Sequence, residues 1–232
     1  MMKKNLLLFI AFILFGNIAV SQVKPFRFGF RVAPNIAWLS ADVENYESDG
    51  SSVGFSWGFV SDVTLTENYF IKTGFNINYL NGKLSFPYET ILDPDTIPTT
   101  GILSRKFNLR NLQIPATIKM RTNRFGNFAY FGNIGFAVSF NLKAKAKDTF
   151  AYGNETAEWE TKDISDNIKF AKASLIVGAG LEYFFDNSTS LFLELNFNNG
   201  LTNILKGNNT VYPDIKQKAF LYYLELNVGI LF

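Results

Sequence analysis

The feature of this chain that most constrains its fold is a two-residue alternation of apolar and polar side chains. Near the carboxyl terminus, Leu224, Leu226 and Val228 fall on one parity, whereas Glu225 and Asn227 fall on the other. Successive side chains of a β-strand point to opposite faces of the sheet, so this pattern predicts a strand with one apolar and one polar face. An amphipathic helix would instead repeat its apolar positions every three or four residues.

The same alternation recurs in eight segments, and we identify no convincing helix between them. The segments are 26–32, 55–63, 71–79, 111–119, 127–140, 174–183, 191–198 and 218–232. The lengths of the connections also alternate. Tight turns are expected at 66–68, 122–126 and 186–188. Long connections, rich in Asp, Glu, Pro and Lys, are expected at 41–51, 81–104, 143–168 and 203–217.

This arrangement predicts the fold class and its orientation. An even number of antiparallel strands, with short turns at one end and long polar loops at the other, is typical of a bacterial outer-membrane barrel. We therefore expect an all-β, eight-stranded antiparallel up-and-down transmembrane β-barrel. Both termini would then lie at the short-turn, periplasmic end.

The alternation alone leaves open which face points inward, because a soluble eight-stranded barrel would bury its apolar face. The volumes of the side chains favour the membrane alternative, since the interior of such a barrel is only just wide enough for side chains to fill. The apolar face carries Phe, Trp or Tyr on nearly every strand, whereas the opposite face carries many glycines. These are Gly29, Gly58, Gly74, Gly135, Gly178, Gly180 and Gly229. A β-sandwich with ordinary core aromatics is the competing fold.

The polar face also holds charged side chains of both signs, which suit a lumen better than lipid. The candidate residues for an ion-paired network in the lumen are Arg27, Arg31, Asp62, Lys72, Lys119, Glu182, Glu194 and Glu225. Within this network, we expect Arg31 to pair with Asp62 or Glu225, and the other charges to join it. Side chains of this set on the outer wall would contradict the membrane interpretation.

A separate segment precedes the alternating region. Lys3 and Lys4 are followed by an apolar stretch at 6–20, which ends in the small residues that a signal peptidase reads. We therefore assign 1–21 to a secretory signal peptide and 22–232 to the outer-membrane β-barrel domain. A retained anchor helix is a weaker alternative, because the apolar run is short and interrupted for a span that needs ~20 residues.

Composition limits the chemistry that the chain can perform. The 232 residues include no Cys and no His, so no thiolate nucleophile, imidazole ligand or disulfide is available. Glu182 and Glu194 could form an acid–base pair, but ion pairs are the usual filling of a small barrel, and we expect no enzyme, cofactor or metal site. The 22 basic and 20 acidic side chains become equal in number once Lys3 and Lys4 leave with the signal peptide, which gives no reason to expect nucleic acid.

Three stretches of the sequence resemble a known family. They are 28–35 (FGFRVAPN), 112–119 (LQIPATIK) and 226–232 (LNVGILF). Together with the signal segment, they resemble the PorT-type outer-membrane β-barrel domain of Bacteroidota. The resemblance covers essentially the whole mature chain and implies a barrel in the outer membrane. It does not extend to the role in type IX secretion from which the family takes its name.

The end of the chain carries a further resemblance. Phe232, with Ile230 two residues before it, resembles the carboxyl-terminal signal that the barrel-insertion machinery reads. The resemblance implies that this machinery is a partner during assembly.

We expect a monomer with a structural or interaction role, as an accessory of a secretion or envelope complex. Loops 81–104 and 143–168 are long enough to order onto an envelope protein partner. The other expected partners are outer-membrane lipid and lipopolysaccharide, whose phosphates the run Lys143, Lys145 and Lys147 would contact by charge. A solvated strand extension is the alternative for this run, and a narrow porin-like channel for small solutes is the alternative function.

Overall fold

The computed structural model describes residues 25–92 and 97–232, which form nine β-strands and one 3-10 turn, Ser165–Asn167. The signal peptide predicted at 1–21 lies outside the described residues. No helix in those two ranges is long and apolar enough to span a bilayer. The strands are β1 (Phe26–Ala41), β2 (Glu47–Thr66), β3 (Tyr69–Ile91), β4 (Pro98–Arg121), β5 (Phe128–Tyr152), β6 (Glu155–Asp163), β7 (Ala171–Phe184), β8 (Ser190–Gly200) and β9 (Ala219–Leu231).

Eight of the strands close into a ring. Its order is β1, β2, β3, β4, β5, β7, β8 and β9, and β9 pairs back onto β1. Every pairing is antiparallel; Phe30, for example, lies opposite Phe59 on one side and Ile230 on the other. The predicted eight-stranded antiparallel up-and-down barrel is therefore confirmed. The remaining strand, β6, pairs with the far end of β5 and lies outside the ring.

Short turns gather at one end of the barrel. They connect β2 to β3, β4 to β5 and β7 to β8, where the alternation predicts tight turns. Both ends of the described chain lie here as well. The backbone N–H of Phe232 donates to the carbonyl of Phe28 at 2.8 Å, and the N–H of Thr64 donates to the carbonyl of Pro25 at 3.0 Å. The first and last strands therefore meet at the short-turn end.

The outer wall of this end is apolar and exposed. On β3 the outward side chains from Tyr69 to Tyr79 include Ile71 and Phe75, and on β4 those from Leu112 to Met120 include Ile114 and Ile118. A tilted transmembrane strand needs ~9–11 residues, which is about the length of each stretch. We call this outer surface, as it continues around all eight strands, the apolar belt. The apolar face of the alternation is thus the outer face.

Two of the predicted long loops are wrong, because strands fill most of them. The expected loop 81–104 is a continuation of β3 to Ile91 and of β4 from Pro98. The expected loop 143–168 is the end of β5 together with β6. These segments form the distal sheet: residues 80–91 of β3, 98–110 of β4, 143–152 of β5 and 155–163 of β6.

The alternation continues into the distal sheet but its polarity is inverted. On β3, Asn76 and Asn78 point inward below the belt edge, and Leu80 and Leu84 point inward above it. On β5 the inversion coincides with a bulge, since Arg110 lies opposite Lys143 and Asn111 lies opposite Asn141, leaving Leu142 as an extra residue. Above the belt, water replaces lipid outside the wall, so apolar side chains turn inward. Apolar positions of the sequence pattern therefore face outward within the belt and inward beyond its edge.

Candidate functional site

The base of the lumen, nearest the short turns, holds a cluster of charges. The Arg27 guanidinium contacts Asp62 at 3.0 Å and Glu182 at 3.2 Å. Lys119 donates to Asp62 at 2.6 Å and also to Glu182. Arg121 contacts Glu182 at 3.4 Å. Three cations thus share two carboxylates that are fully buried, with each carboxylate bound by at least two cations.

Strand register brings these groups together. Arg27 on β1 lies directly opposite Asp62 on β2, and Asp62 lies opposite Lys72 on β3. Glu182 reaches the same level from β7, across the lumen. Because inward positions repeat every second residue, each strand delivers its charge to the interior without irregular backbone.

A second level of the lumen is built around Glu194. Lys72 donates to both of its carboxylate oxygens, at 2.6 and 2.5 Å, and the side-chain amide of Asn133 donates to one of them. The Lys72 ammonium also lies 5.1 Å from the ring centroid of Phe192 and 5.6 Å from that of Phe131. Ring faces and a carboxylate together replace the water that the ammonium loses.

A third level joins Arg31 to Glu225, with an N–O distance of 3.0 Å. The Arg31 side chain also donates to Asn76 at 2.8 Å and to Asn227. Of the two partners expected for Arg31, Glu225 is the one in contact, because Asp62 is already bound by cations at the base. All eight charged residues proposed from the sequence lie inside the barrel, at 8% exposure or less. We call the three levels the charged core.

Large aromatic side chains also enter the charged core, whereas the side-chain volumes predict large aromatic residues outside and small residues inside. They are Phe70, Phe131, Phe184 and Phe192, all buried. Each has the same parity as a charged or amide residue of its strand, so a strict reading of the alternation finds them. Glycine makes room for one of them: a Cβ on Gly229 would lie 2.5 Å from the Phe192 ring. The interior is therefore filled by large residues set against small ones.

A layer of neutral polar side chains lies above the charged core. Asn35 donates to Ser56 at 3.0 Å, and Asn78 donates to the Gln113 carbonyl at 3.3 Å. The Gln113 amide donates to the Tyr223 hydroxyl at 2.7 Å. Amide and hydroxyl side chains therefore donate to one another at this level, whereas the amide oxygens of Asn35 and Asn78 have no hydrogen-bond partner among the described residues.

One buried cation lacks a carboxylate partner within the described ranges. Lys172 donates to the Asn111 amide oxygen at 2.9 Å, which is the hydrogen bond recorded for its ammonium. The alternation places Lys172 and Asn111 on inward positions of β7 and β4, but neither residue is among the charged positions predicted for the lumen network. They mark the boundary between the polar lumen and the apolar interior above it.

The interior of the distal sheet is a hydrophobic core, which we call the apolar core. Its largest fully buried side chains include Leu84, Leu103, Phe107 and Phe150. The other buried members are Ala37, Leu39, Tyr46, Leu80, Phe86, Leu109, Ala144, Ala146, Ile164, Ile168, Ile204, Leu205, Ala219, Leu221 and Tyr223. The alternation did not predict this core, because most of these residues lie in segments expected to be loops.

An ion pair lies beside the apolar core, on the inward faces of β4 and β5. Arg105 binds Asp148 through two N–O contacts of 2.7 and 2.6 Å, and Lys162 lies 3.3 Å from the same carboxylate. Arg105 and Asp148 are directly opposite on β4 and β5. Both are buried, so each charge is compensated inside the distal sheet.

The long connection 201–218 covers the mouth of the barrel. Ile204 and Leu205 insert into the apolar core. Asn209, also buried, donates to the Tyr46 hydroxyl at 2.9 Å and to the Pro87 carbonyl at 3.1 Å. Burial raises the pKa of Tyr46, which keeps this hydroxyl neutral and hydrogen-bonded. The connection is therefore a folded lid.

Little free space is left in the lumen. A cavity of ≈ 30 Å³ lies beside Arg31 and Lys72, and another of ≈ 20 Å³ lies beside Lys172. A buried water needs roughly 10–15 Å³ measured in this way, so each cavity holds about one or two waters. Charged core, amide layer, apolar core and lid follow one another along the barrel axis. A larger cavity of ≈ 360 Å³ lies between the distal sheet and the lid, beside Phe86 and Lys206.

The arrangement of acidic side chains bears on catalysis and metal binding. Glu182 and Glu194 are bound to different cations, Glu182 to Arg27 and Lys119 and Glu194 to Lys72. No group of three or more His, Cys, Asp or Glu side chains in 25–92 and 97–232 is placed to hold a metal ion. Each lumen carboxylate therefore serves as the counter-ion of a neighbouring cation.

The chain is similar to known proteins in sequence and in structure. A family model described as outer membrane protein beta-barrel domain matches residues 19–206. Neisserial surface protein A is similar in structure, at 12% identity and a TM-score of 0.47, over 91% of this chain and 98% of that one. Ail, the attachment invasion locus protein of Yersinia pestis, is similar at 13% identity and a TM-score of 0.40, over 90% of this chain and 100% of that one. The outer membrane protein OprG from Pseudomonas aeruginosa is similar at 9% identity and a TM-score of 0.44, over 89% of this chain and 95% of that one. No curated protein matches the sequence.

Proposed function

The chain belongs to the family of the outer membrane protein beta-barrel domain and is a β-barrel of the bacterial outer membrane, and on that premise we propose that it is a closed barrel with an interaction role. It acts through the distal sheet, which carries the wall of the barrel beyond the lipid. The observation that carries the proposal is the combination of a filled lumen with a wall that continues well past the apolar belt.

The filled lumen argues against the alternative of a solute channel. Porin channels need a continuous water-filled passage, whereas charged side chains, amides, apolar side chains and a lid occupy successive levels of this barrel. The buried carboxylates are each held by cations, which also supports a role that is not catalytic.

The distal sheet offers surfaces for an envelope protein partner. Its last strand, β6, pairs only with β5 among the described strands, so one edge presents backbone N–H and C=O groups. That edge is acidic, with Glu155, Glu158 and Glu160 exposed along it. Charges on an edge strand discourage unspecific pairing and favour a partner of complementary charge.

Within the broad family, we place the chain in the PorT-type branch of Bacteroidota. The support is the sequence of the strands that meet at the seam of the barrel, 28–35 and 226–232, together with 112–119 on β4. The same seam supports the insertion signal, because Ile230 and Phe232 lie on the outer wall near the short-turn end, where assembly machinery can reach them.

The proposed orientation places both termini and the short turns in the periplasm and the distal sheet outside the cell. The chain has no Cys, so single introduced thiols report cleanly. Asn154→Cys, in the turn between β5 and β6, should react with a membrane-impermeant maleimide on intact cells. Asn187→Cys, in the turn between β7 and β8, should react only after the outer membrane is permeabilised. The reverse labelling would contradict the orientation.

The interaction role is tested by crosslinking in intact outer membranes. A photo-crosslinking residue at Asn154 or Glu160 should give one discrete adduct with an envelope protein. The same residue at Asn187, at the opposite end of the barrel, should not give that adduct. Adducts that are equal at both ends, or none at the distal positions, would contradict a role through the distal sheet.

A further inference from the structure

The outer face of the distal sheet carries a group of exposed basic side chains directly above the apolar belt. They lie on β3, β4 and β5, which are neighbours in the barrel wall. The six residues are Lys83, Lys106, Arg110, Lys143, Lys145 and Lys147. We call this surface the basic face. Three of them belong to the run on β5 that the sequence indicated, and the structure adds the three on β3 and β4.

Strand register places like charges directly beside one another on the basic face. Lys83 lies opposite Lys106, and Lys106 lies opposite Lys147. Like charges at directly opposite positions of an antiparallel pair destabilise it. No carboxylate of the described residues forms an ion pair with Lys83 or Lys106, and Lys147 has a single exposed one, Glu158, at 3.2 Å. The row therefore holds positive charge that the protein itself leaves largely uncompensated.

The row of Lys83, Lys106 and Lys147 lies at a height above the belt from which its side chains reach the layer of lipid headgroups. Tyr79 and Arg110 lie opposite each other at the belt edge, with the guanidinium 4.9 Å from the ring centroid. Lys83 follows Tyr79 by four residues along β3, a rise of ~13 Å along the strand and ~10 Å along the membrane normal for a tilt of ~40°. The polar layer of each leaflet begins at the belt edge and is roughly 5–8 Å deep. Extended lysine side chains span the difference.

We propose that the basic face binds the phosphate groups of a membrane lipid headgroup, through Lys83, Lys106 and Lys147 with Arg110 at the belt edge. The proposal rests on the proposed function, which places the distal sheet outside the cell. The phosphate-bearing glycolipid of the outer leaflet is lipopolysaccharide. The lysine row lines an open depression of ≈ 640 Å³ that also contains Ser104. Asp49 lies at its rim, where its carboxylate accepts a hydrogen bond from Ser85. A phosphorylated sugar fits such a surface because the ammonium groups lie side by side.

The test compares binding of lipid A, the phosphorylated glycolipid part of lipopolysaccharide, to the full barrel and to two triple variants. In the first variant, K83Q/K106Q/K147Q, the row loses its charge. The matched control, K169Q/K206Q/K216Q, loses the same charge from exposed lysines outside the basic face. Each lysine near an anionic headgroup strengthens binding by about fivefold, so the first variant should bind lipid A roughly a hundredfold more weakly. The control variant should bind like the wild type.

Two further ligands identify the chemistry and its source. Dephosphorylated lipid A should bind the wild type no better than it binds K83Q/K106Q/K147Q. Soluble pyrophosphate should compete weakly, because it lacks the acyl chains that lie along the apolar belt. Equal binding of both forms of lipid A, equal losses in the two triple variants, or complete competition by pyrophosphate at low concentration would each overturn the proposal.

Folding and orientation are checked separately. Removing like charges that lie opposite one another should leave K83Q/K106Q/K147Q at least as resistant to heat in detergent as the wild type. A variant that melts well below the wild type would mean that the lysines have a structural role, and would overturn the assignment to lipid. The thiol-labelling experiment on Asn154 and Asn187 tests the proposed orientation independently, so the failure of one proposal is distinguishable from the failure of the other.

Discussion

The half of the barrel within the apolar belt and the half beyond it have opposite distributions of polar and apolar side chains, although the same strands run through both. Within the belt the outer wall is apolar and the interior is the charged core. In the distal sheet the outer wall is polar and the interior is the apolar core. On β3 the change falls between Tyr79, which faces lipid, and Asn81, which faces water, while Asn78 and Leu80 mark the same change inside.

The difference follows from what surrounds each half. In lipid, an apolar side chain gains little by turning inward, because the acyl chains outside are equally apolar. The polar groups must be inside, and they are stable there only if they satisfy one another. In water, burial of apolar surface again supplies the driving force, so the distal sheet has a core like that of a soluble β-protein. The side-chain pattern of one continuous wall thus changes where the surrounding solvent changes from lipid to water.

The largest loss of stability is expected from a substitution at the base of the charged core. Glu182→Gln removes the carboxylate shared by Arg27, Lys119 and Arg121, and leaves Asp62 as the one carboxylate in contact with the buried Arg27 and Lys119. We expect the free energy of unfolding to fall by roughly 3–5 kcal/mol, as for other buried pairs that lose one partner. Urea titration of the barrel in lipid vesicles, followed by tryptophan fluorescence, measures it.

The matched control for that change is Glu158→Gln in the distal sheet. Its ion pair with Lys147 is exposed on both sides, so its loss should cost about 0–1 kcal/mol. Equal effects of the two substitutions would mean that the charged core contributes no more than a surface pair.

The next effect tests the apolar core. Leu84→Ala truncates a fully buried side chain and should cost about 3 kcal/mol through lost burial and a cavity. Lys83→Ala, the neighbouring residue on the outer face of the same strand, is the control and should change the unfolding free energy by less than ~0.5 kcal/mol. Unfolding monitored by tryptophan fluorescence in a Trp38→Phe/Trp57→Phe background, which leaves Trp159 on β6 as the remaining tryptophan, reports on this half. An effect of Leu84→Ala as small as the control would argue against a packed distal core.

A smaller effect tests how tightly the charged core is packed. A methyl group at Gly229 would lie 2.5 Å from both the Phe192 ring and the Phe30 backbone carbonyl oxygen, so Gly229→Ala should destabilise the barrel by roughly 1–3 kcal/mol through overpacking. Phe192→Leu in the same chain should recover part of the loss. A double-mutant cycle from four urea titrations measures the coupling. Simple additivity of the two substitutions would contradict a direct contact.

The smallest effect concerns the short-turn end. Backbone N–H groups of Ser188 and Thr189, with the Ser188 hydroxyl, donate to Asp186 and lower its pKa from 3.8 to about 2. Because the folded-state pKa is the lower one, this turn contributes stability above the ordinary pKa that is lost as the pH falls toward 2. Asp186→Ala should therefore flatten the pH dependence of unfolding between pH 4 and 2. An unchanged pH profile in the variant would contradict the role of these hydrogen bonds.

Much of the membrane half could be predicted from the sequence, whereas the distal half could not. The alternation gives the ring of strands, the short turns and the inward side of Arg27 and Glu182. The same reading treats an apolar parity as outward everywhere, so it ends each strand where the polarity inverts, as at Leu80. On β5 the bulge at Leu142 also changes the parity. Pairing across β3, β4 and β5 reveals the basic face, because the three lysines of the row are far apart in sequence.

The account depends most on the lumen being closed, and single-channel recording in planar bilayers tests this directly. Samples of the folded barrel, checked by their resistance to urea, should insert and give no steady conductance above that of the bare bilayer. A reproducible open-channel current with a fixed unit conductance would show that water and ions pass the charged core and the lid. That result would contradict the closed barrel and restore the channel as its function.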